Sequence, residues 1–318
     1  MESWILDIIK IIAGLTALYY GGELLVAASV RIARSLKLSS FVIGATVIGF
    51  GTSSPELSVS VLAALEGAPE LAMGNVIGSN IANMGLVLGI TALVVPLTIR
   101  RSLFRIESPP LIIASLLVLF LAWDNILQRW EGMLMVFLLA CHLFISLRKA
   151  NGDEIEIEED EEVSLFAGRT LPWQAALALV GLSMLVTGAH YLVEGGVSIA
   201  RSFGISEWFI GISIIAVGTS LPEISSSLIA AKRGHGEMAI GNIFGSNIFN
   251  ILMVLGATAT IAPLNIKENI HADILYATGI TALLLLFLYR QMNLNKFEGG
   301  VLLSTYFFYI IAKGTGLF

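Results

Sequence analysis

The second half of this 318-residue chain repeats the first half at a constant offset of 167 residues. Residues 30–96 and 197–263 align without a gap and share 34 identities in 67 positions. The same offset aligns the segment RWEG at 129–132 with KFEG at 296–299. Repetition of this extent indicates a duplicated structural unit. The sequence therefore predicts a first repeat over residues 1–149, an acidic linker over 150–168 and a second repeat over 169–318.

Each repeat contains five apolar runs, and the chain is 56% hydrophobic and 13% charged. Soluble domains are about 45–50% apolar and 25% charged, so this composition is typical of a protein embedded in a lipid bilayer. We expect an all-α, polytopic membrane protein with ten transmembrane helices. The fourth and fifth runs of each repeat hold only about 15 core residues, so these helices must extend into flanking residues or the bilayer must thin. The ten predicted spans are 4–30, 40–65, 71–97, 108–123, 132–147, 171–200, 207–231, 238–263, 273–289 and 298–313.

An odd number of spans per repeat requires the second repeat to enter the membrane from the opposite side. The distribution of basic residues agrees, because an outside N-terminus places 13 of the 18 Lys and Arg residues in cytoplasmic connections, as the positive-inside rule requires. The sequence thus predicts a multi-pass protein of the cell (inner) membrane, with both termini outside and the acidic linker in the cytoplasm. Inverted repeats of this kind are typical of secondary transporters, whose substrate site lies near the midplane.

Composition also excludes several classes of protein. The Lys and Arg residues are scattered, so we expect no nucleic-acid partner. The single cysteine, Cys141, excludes an intrachain disulfide and a site built from several cysteines. Eight carboxylates fall between Asp153 and Glu162, so the rest of the chain carries a net charge of +2 against −6 for the whole. This acidic run lacks the ligand pattern of an EF-hand and is interpreted as a solvated tether rather than a regulatory calcium site.

Two glutamates, Glu56 and Glu223, occupy equivalent positions in the second span of each repeat. A carboxylate at the centre of a membrane helix costs roughly 2.5–3.5 kcal/mol, so it requires a partner such as a cation. The alternative is a protonated glutamate that hydrogen-bonds between helices. Each glutamate follows a proline, in GTSSPE and GTSLPE, and a proline inside a helix frees an upstream carbonyl to bind a cation. The candidate carbonyls are those of Gly49, Thr52, Ala216 and Thr219.

The third span of each repeat carries a polar motif, GNVIGSNIAN at 74–83 and GNIFGSNIFN at 241–250. Asn75, Ser79 and Asn83 recur every four residues, so they form one polar stripe on a helix. This stripe either lines an ion site or forms hydrogen bonds between helices packed through glycines. Carboxylate, amide, hydroxyl and carbonyl oxygens together are a ligand set suited to calcium, magnesium or sodium rather than to zinc or copper.

These paired motifs resemble the two α-repeats of the sodium/calcium exchanger family, within the cation/calcium antiporter superfamily and closest to its prokaryotic members. The resemblance covers nearly the whole chain. It implies an antiporter that exchanges Na⁺ for Ca²⁺ by alternating access, with no cofactor and with the calcium site centred on the two glutamates. The residues that it implies as ligands are Glu56, Glu223, Ser53, Ser220, Ser79, Ser246, Asn83 and Asn250, with the carbonyls of Gly49, Thr52, Ala216 and Thr219.

The sequence departs from the family pattern at one position of each repeat. Many members carry an aspartate at the position of Asn83 or Asn250, whereas both are asparagine here. The fixed charge of the site is then −2, which one Ca²⁺ or two Na⁺ would neutralise, and a third Na⁺ would leave +1. The charge of the site therefore leaves the ratio of exchanged ions open. The sequence does not indicate the oligomeric state.

Three alternatives to sodium/calcium exchange follow from the same site. Proton-coupled members of the superfamily carry a further acidic residue within the GN motif, and neither copy has one, which favours sodium. A proton- or potassium-coupled antiporter and a cation channel are nevertheless alternatives with the same site. An intramembrane enzyme would need a nucleophile with a base, or a catalytic metal triad, among the deep polar residues. We find neither in the sequence and predict no enzymatic activity.

Overall fold

The computed structural model describes residues 2–36, 38–67, 69–149, 170–203, 218, 220–266 and 270–315. The acidic linker lies outside these residues, as does most of the segment that precedes Ser220. The described chain is almost entirely helical, with four strands of two residues each. This agrees with the all-α architecture expected from the apolar runs.

The first half begins with the long helix α1 (Glu2–Leu36). The second predicted span is divided into several short helices, and the third contains one turn of π-helix in its centre. The elements after α1 are α2 (Ser40–Ile43), a π-turn (Gly44–Ile48), α3 (Gly49–Thr52), α4 (Ser54–Leu65), α5 (Pro69–Ala82), a π-turn (Asn83–Val87), α6 (Leu88–Val94), β1 (Leu97–Thr98), α7 (Arg101–Leu121), β2 (Ile126–Leu127) and α8 (Arg129–Lys149).

The second half repeats these elements in the same order wherever it is described. It begins with α9 (Leu171–Ser202), the counterpart of α1. The following elements are α10 (Leu221–Lys232), α11 (Gly236–Phe249), a π-turn (Asn250–Leu255), α12 (Gly256–Ile261), β3 (Leu264–Asn265), α13 (His271–Gln291), β4 (Asn293–Leu294) and α14 (Lys296–Gly314). Of the predicted span 207–231, only residues 218 and 220–231 are described.

The helices are long enough for a membrane protein. Seven of the described helical segments have the length and apolar composition needed to cross a bilayer. The fourth and fifth helices of each half extend beyond their apolar runs, to 21 residues in α7, α8 and α13 and 19 in α14. At about 1.5 Å per residue they reach roughly 30 Å, so extension into flanking residues, one of the two expected solutions, is the one observed.

Helices α1 and α9 pack against each other along most of their length in antiparallel orientation. A Cβ atom added at Gly14 would lie 2.7 Å from the carbonyl oxygen of Gly188, and one added at Gly21 would lie 2.8 Å from that of Gly181. Only glycine allows the two backbones to approach this closely. Under the 167-residue offset Gly14 corresponds to Gly181 and Gly21 to Gly188. Exchange of the two halves therefore converts each of these contacts into the other.

The strands pair across the two halves with the same exchange relation. Strand β1 pairs with β4 and strand β2 pairs with β3, both antiparallel. The core of the molecule is formed by the third spans, Pro69–Val94 and Gly236–Ile261, which are the most buried of the candidate membrane helices. The two GSN motifs therefore lie at the centre of the fold, where the halves meet.

Candidate cation site

A break in the second span brings its motif to the centre of the molecule. Helix α3 ends at Thr52, Ser53 is non-helical with φ −85° and ψ 6°, and α4 begins at Ser54. Pro55 lacks an amide hydrogen, so it cannot donate to the carbonyl of Gly51, and the hydroxyl of Ser54 donates to that carbonyl instead, at 2.8 Å. The second half begins α10 in the same way, with Pro222 in its first turn after Ser220.

The two glutamates are buried where these new helices begin. Glu56 lies in the first turn of α4 and Glu223 in the first turn of α10, and the residues are 2% and 1% exposed. The first turn of a helix presents unpaired amide groups that favour a negative charge nearby. The carboxylates interact electrostatically with each other, and that of Glu223 lies near the hydroxyls of Thr52 and Ser53 in the other repeat. The fold therefore brings both glutamates into one cluster.

Oxygen atoms without hydrogen-bond partners concentrate around this pair. Twelve buried side-chain N or O atoms of the described residues lack a partner, and six belong to the candidate ligand set. All six are oxygens, and at least five can only accept unless a glutamate is protonated. An unsatisfied buried polar group costs about 1–3 kcal/mol, so a cluster of this kind fits a bound cation. The six atoms are Ser53 Oγ, Glu56 Oε2, Asn83 Oδ1, Glu223 Oε1, Glu223 Oε2 and Asn250 Oδ1.

Four asparagines form a reciprocal network between helices α5 and α11 and their π-turns. Asn247 Nδ2 donates to the backbone carbonyl of Asn80 at 3.2 Å, and Asn80 Nδ2 donates to that of Asn247 at 3.4 Å. Asn83 Nδ2 then donates to Asn247 Oδ1 at 2.9 Å, and Asn250 Nδ2 donates to Asn80 Oδ1 at 3.1 Å. The two halves contribute equivalent bonds, so the network joins the repeats at their centre.

This network fixes which end of each amide faces the cluster. A backbone carbonyl only accepts hydrogen bonds, so Asn247 must direct Nδ2 toward Asn80 and Oδ1 toward Asn83. Asn83 must in turn offer its own Nδ2, which leaves its Oδ1 as the unpartnered atom. The same reasoning from the other half leaves Asn250 Oδ1. Both site asparagines therefore present oxygen, the atom that binds cations.

The remaining predicted residues are buried around the same centre. Ser246 donates to the carbonyl of Gly49 at 3.1 Å, which joins the second GSN motif to the first broken span. Thr52 donates to the carbonyl of Ile48 at 3.1 Å, so its hydroxyl is already bonded within its own helix. Ser53, Ser79 and Ser220 are buried. Ala216 and Thr219, whose carbonyls are candidate cation ligands, lie outside the described residues.

Asn75 and Asn242, at the start of the polar stripes, bond between helices. Asn75 Nδ2 donates to Ser60 Oγ at 3.0 Å and to the carbonyl of Glu56 at 3.3 Å. Asn242 Nδ2 donates to Ser227 Oγ at 2.8 Å. Hydrogen bonding between helices, one of the two interpretations of the stripe, is therefore confirmed at these two positions.

Sequence reasoning missed Asn80 and Asn247. The four-residue period of Asn75, Ser79 and Asn83 placed them off the polar stripe, toward a neighbouring helix. One available signal was that both are asparagine within a buried apolar motif and identical in the two repeats. An amide in such a position needs partners, and here the partner is its own counterpart.

Comparisons with known proteins agree with this arrangement. The family model described as sodium/calcium exchanger protein matches residues 7–148 and 173–314. CaxA of Alkalimonas amylolytica, named as a candidate antiporter, is 39% identical and the alignment covers 95% of this chain and 96% of CaxA. The sodium/calcium exchanger MaX1 of Methanosarcina acetivorans is 28% identical over 95% of this chain and 96% of its own. A structure of the sodium-calcium exchanger NCX_Mj superposes with a TM-score of 0.81 at 32% identity, covering 98% of this chain and 99% of that one. The chain belongs to the sodium/calcium exchanger protein family.

Proposed function

We propose that this protein exchanges Na⁺ for Ca²⁺ across a membrane, and that both ions use the cluster around Glu56 and Glu223. The observation that carries the proposal is the set of six unpartnered, buried oxygens around two carboxylates. Oxygen ligands of this kind suit the hard cations Ca²⁺ and Na⁺. Membership of the sodium/calcium exchanger family and the relatives named as exchangers support the same pair of ions.

The proposed ligands come from both repeats. Within each repeat they come from the interrupted second span and from the third span, which contains the π-turn. The carboxylates supply a fixed charge of −2, and the amide, hydroxyl and carbonyl oxygens supply further coordination without charge. One Ca²⁺ or two Na⁺ would balance the carboxylates. The full proposed set is Glu56, Glu223, Ser53, Ser220, Thr52, Thr219, Ser79, Ser246, Asn83, Asn250, Gly49 and Ala216.

We further propose ten transmembrane helices arranged as two inverted repeats of five, with domain boundaries at 149 and 169. The antiparallel packing of equivalent helices α1 and α9 and the exchanged pairing of the strands support this topology. The charge distribution favours outside termini, a cytoplasmic linker and an inner-membrane location. The inner membrane protein YrbG of Escherichia coli K12, 34% identical over 80% of this chain and 79% of its own, supports that location.

Exchange rather than free leakage follows from the charge of the cluster. Moving two uncompensated carboxylates through a closed intermediate in the membrane interior carries a desolvation cost of several kcal/mol per ion. A bound Ca²⁺ or bound Na⁺ ions remove that cost. The protein therefore converts between its outward-open and inward-open states only when the site holds cations. Inward movement of Na⁺ down its gradient would then drive Ca²⁺ outward.

Calcium uptake into sodium-loaded proteoliposomes tests the proposal. We expect ⁴⁵Ca²⁺ uptake that requires internal Na⁺, and that internal K⁺ or an imposed pH gradient does not replace. Glu56→Gln and Glu223→Gln should each abolish uptake, because each halves the charge available to a divalent ion. Glu66→Gln, at the exposed end of the helix that carries Glu56, is the matched control and should transport normally.

Two results would contradict the proposal. Uptake that proceeds without any counter-ion inside would indicate a cation channel. Uptake driven by protons or potassium instead of sodium would indicate an antiporter with a different coupling ion.

A further inference from the structure

An open groove of about 550 Å³, the α13–α14 groove, lies along helix α14 beside Tyr276 of α13 and away from the cation cluster. These helices form an antiparallel hairpin joined by β4. One end of the groove is closed by Tyr276, whose ring stacks on Phe308 and whose hydroxyl donates to the carbonyl of Thr305 at 2.7 Å. The other end opens at the start of α14, beside Lys296 and Phe297.

The groove follows one face of α14. Lys296, Gly300, Ser304 and Phe308 line it at intervals of four residues, so they stack along the helix over about 18 Å. The hydroxyl of Ser304 is bonded to the carbonyl of Gly300 at 2.8 Å, which leaves an apolar surface. Phe297 is 79% exposed, so this face points away from the core, toward the proposed bilayer. A long apolar groove that is open along its length suits an acyl chain.

The first repeat has larger side chains at the same positions. Under the 167-residue offset, Gly300 corresponds to Met133 and Ser304 to Phe137. Both of these larger side chains are exposed on the equivalent face of α8, at 55% and 63%. In the first repeat, large side chains therefore fill the equivalent helix face. The groove in the second repeat exists because Gly300 and Ser304 are small.

The open end of the groove carries positive charge. Within the described residues Lys296 forms no ion pair. The rings of Phe104 and Tyr289 lie 6.4 Å apart, which brings the start of α7 to the end of α13 near this opening. Cations that likewise form no ion pair within the described chain at this end of the helices are Arg101, Arg105 and Arg290. A lysine at the open end of an apolar groove, with further cations at the same end of the neighbouring helices, complements a lipid with an anionic headgroup.

We propose that the α13–α14 groove binds an anionic phospholipid, with one acyl chain along α14 and the headgroup phosphate beside Lys296. The site requires only that the protein lies in a bilayer, so it does not depend on which ions are transported. The bilayer supplies this occupant from the leaflet that contacts the Lys296 end.

Native mass spectrometry of the purified, full-length protein with added phosphatidylglycerol or phosphatidylcholine of identical acyl chains tests the proposal. We expect the wild-type protein to retain phosphatidylglycerol at least fivefold more strongly, because one lysine near an anionic headgroup contributes about that factor. Lys296→Gln should lower this preference about fivefold. The double variant Gly300→Met/Ser304→Phe, which copies the first repeat, should lose retention of the bound lipid. Its backbone has room, since a Cβ at Gly300 meets only Leu93, at 3.9 Å.

The duplication also supplies the control. Arg129→Gln changes the cation that corresponds to Lys296 beside the filled face of α8, and should leave lipid retention unchanged. Equal retention of the two lipids by the wild-type protein would overturn the proposal, as would unchanged retention in the monodisperse double variant. A dimer in the wild-type spectrum that the double variant converts to monomer would assign the groove to a second copy of the chain, and would equally overturn it.

Discussion

At the scale of single residues, the asparagine network explains how the proposed site, with only two carboxylates, presents additional oxygens. Asn80 and Asn247 do not carry unpartnered oxygens themselves; they hold the amides of Asn83 and Asn250 in one orientation. An aspartate at position 250 would have no hydrogen to donate to Asn80 Oδ1 unless it were protonated. Asparagine at both positions 83 and 250 therefore fits a network in which each of these residues donates an amide hydrogen.

We expect Asn247→Ala to weaken calcium binding about tenfold. Removal of Asn247 leaves the Nδ2 of Asn83 without an acceptor and frees that amide to rotate, at a cost of about 1–3 kcal/mol. Asn80→Ala should act equally through Asn250. ⁴⁵Ca²⁺ binding to the purified variants measures the effect. Asn295→Ala removes an amide that caps α14 far from the cluster, so it should lower stability by about 1 kcal/mol without changing calcium affinity. Wild-type affinity in both Asn80→Ala and Asn247→Ala would show that the network does not position ligands.

At the scale of helices, the sequence predicted an all-helical membrane protein and an interruption in the second span of each repeat. Apolar periodicity located the spans, and the prolines at 55 and 222 indicated discontinuous helices. The sequence did not predict the π-turns that begin at Asn83 and Asn250, because a π-turn depends on packing between helices rather than on local residue preference. The ends of α7 and α13 were also underestimated, since charged residues that end an apolar run can still continue a helix.

Close packing of the broken second span on α11 gives a test at this scale. A Cβ added at Gly245 would overlap the backbone of Ala45, whereas one added at Gly279, on an exposed face of α13, meets nothing within 4 Å. Gly245→Ala should therefore lower the free energy of unfolding by about 1–3 kcal/mol, the usual cost of overpacking. Gly279→Ala should leave it unchanged or raise it slightly. Thermal unfolding in detergent compares the two, and equal melting temperatures would contradict the packing described here.

At the scale of the whole molecule, the exchange relation between the halves locates the site. In the asparagine network, the α1–α9 pair and the two strand pairs, each contact is accompanied by the equivalent contact with the two halves exchanged. Contacts related in this way are arranged around one centre, where the asparagine network joins the repeats beside the two glutamates. Duplication thus gave the sequence its clearest signal, because a single buried glutamate has several explanations and two equivalent ones at the same centre suggest a shared ligand. The contacts between repeats, including Asn80 with Asn247, required the folded structure.

We expect calcium and sodium to compete for this one cluster, and equilibrium binding of ⁴⁵Ca²⁺ to the purified protein measures that competition. We predict one Ca²⁺ per chain, complete displacement by Na⁺ with a dependence steeper than first order, and no binding in the Glu56→Gln/Glu223→Gln double variant. Steepness follows because at least two Na⁺ are needed to replace the charge of one Ca²⁺. Calcium that stays bound at saturating Na⁺, or binds the folded double variant with wild-type affinity, would contradict this expectation.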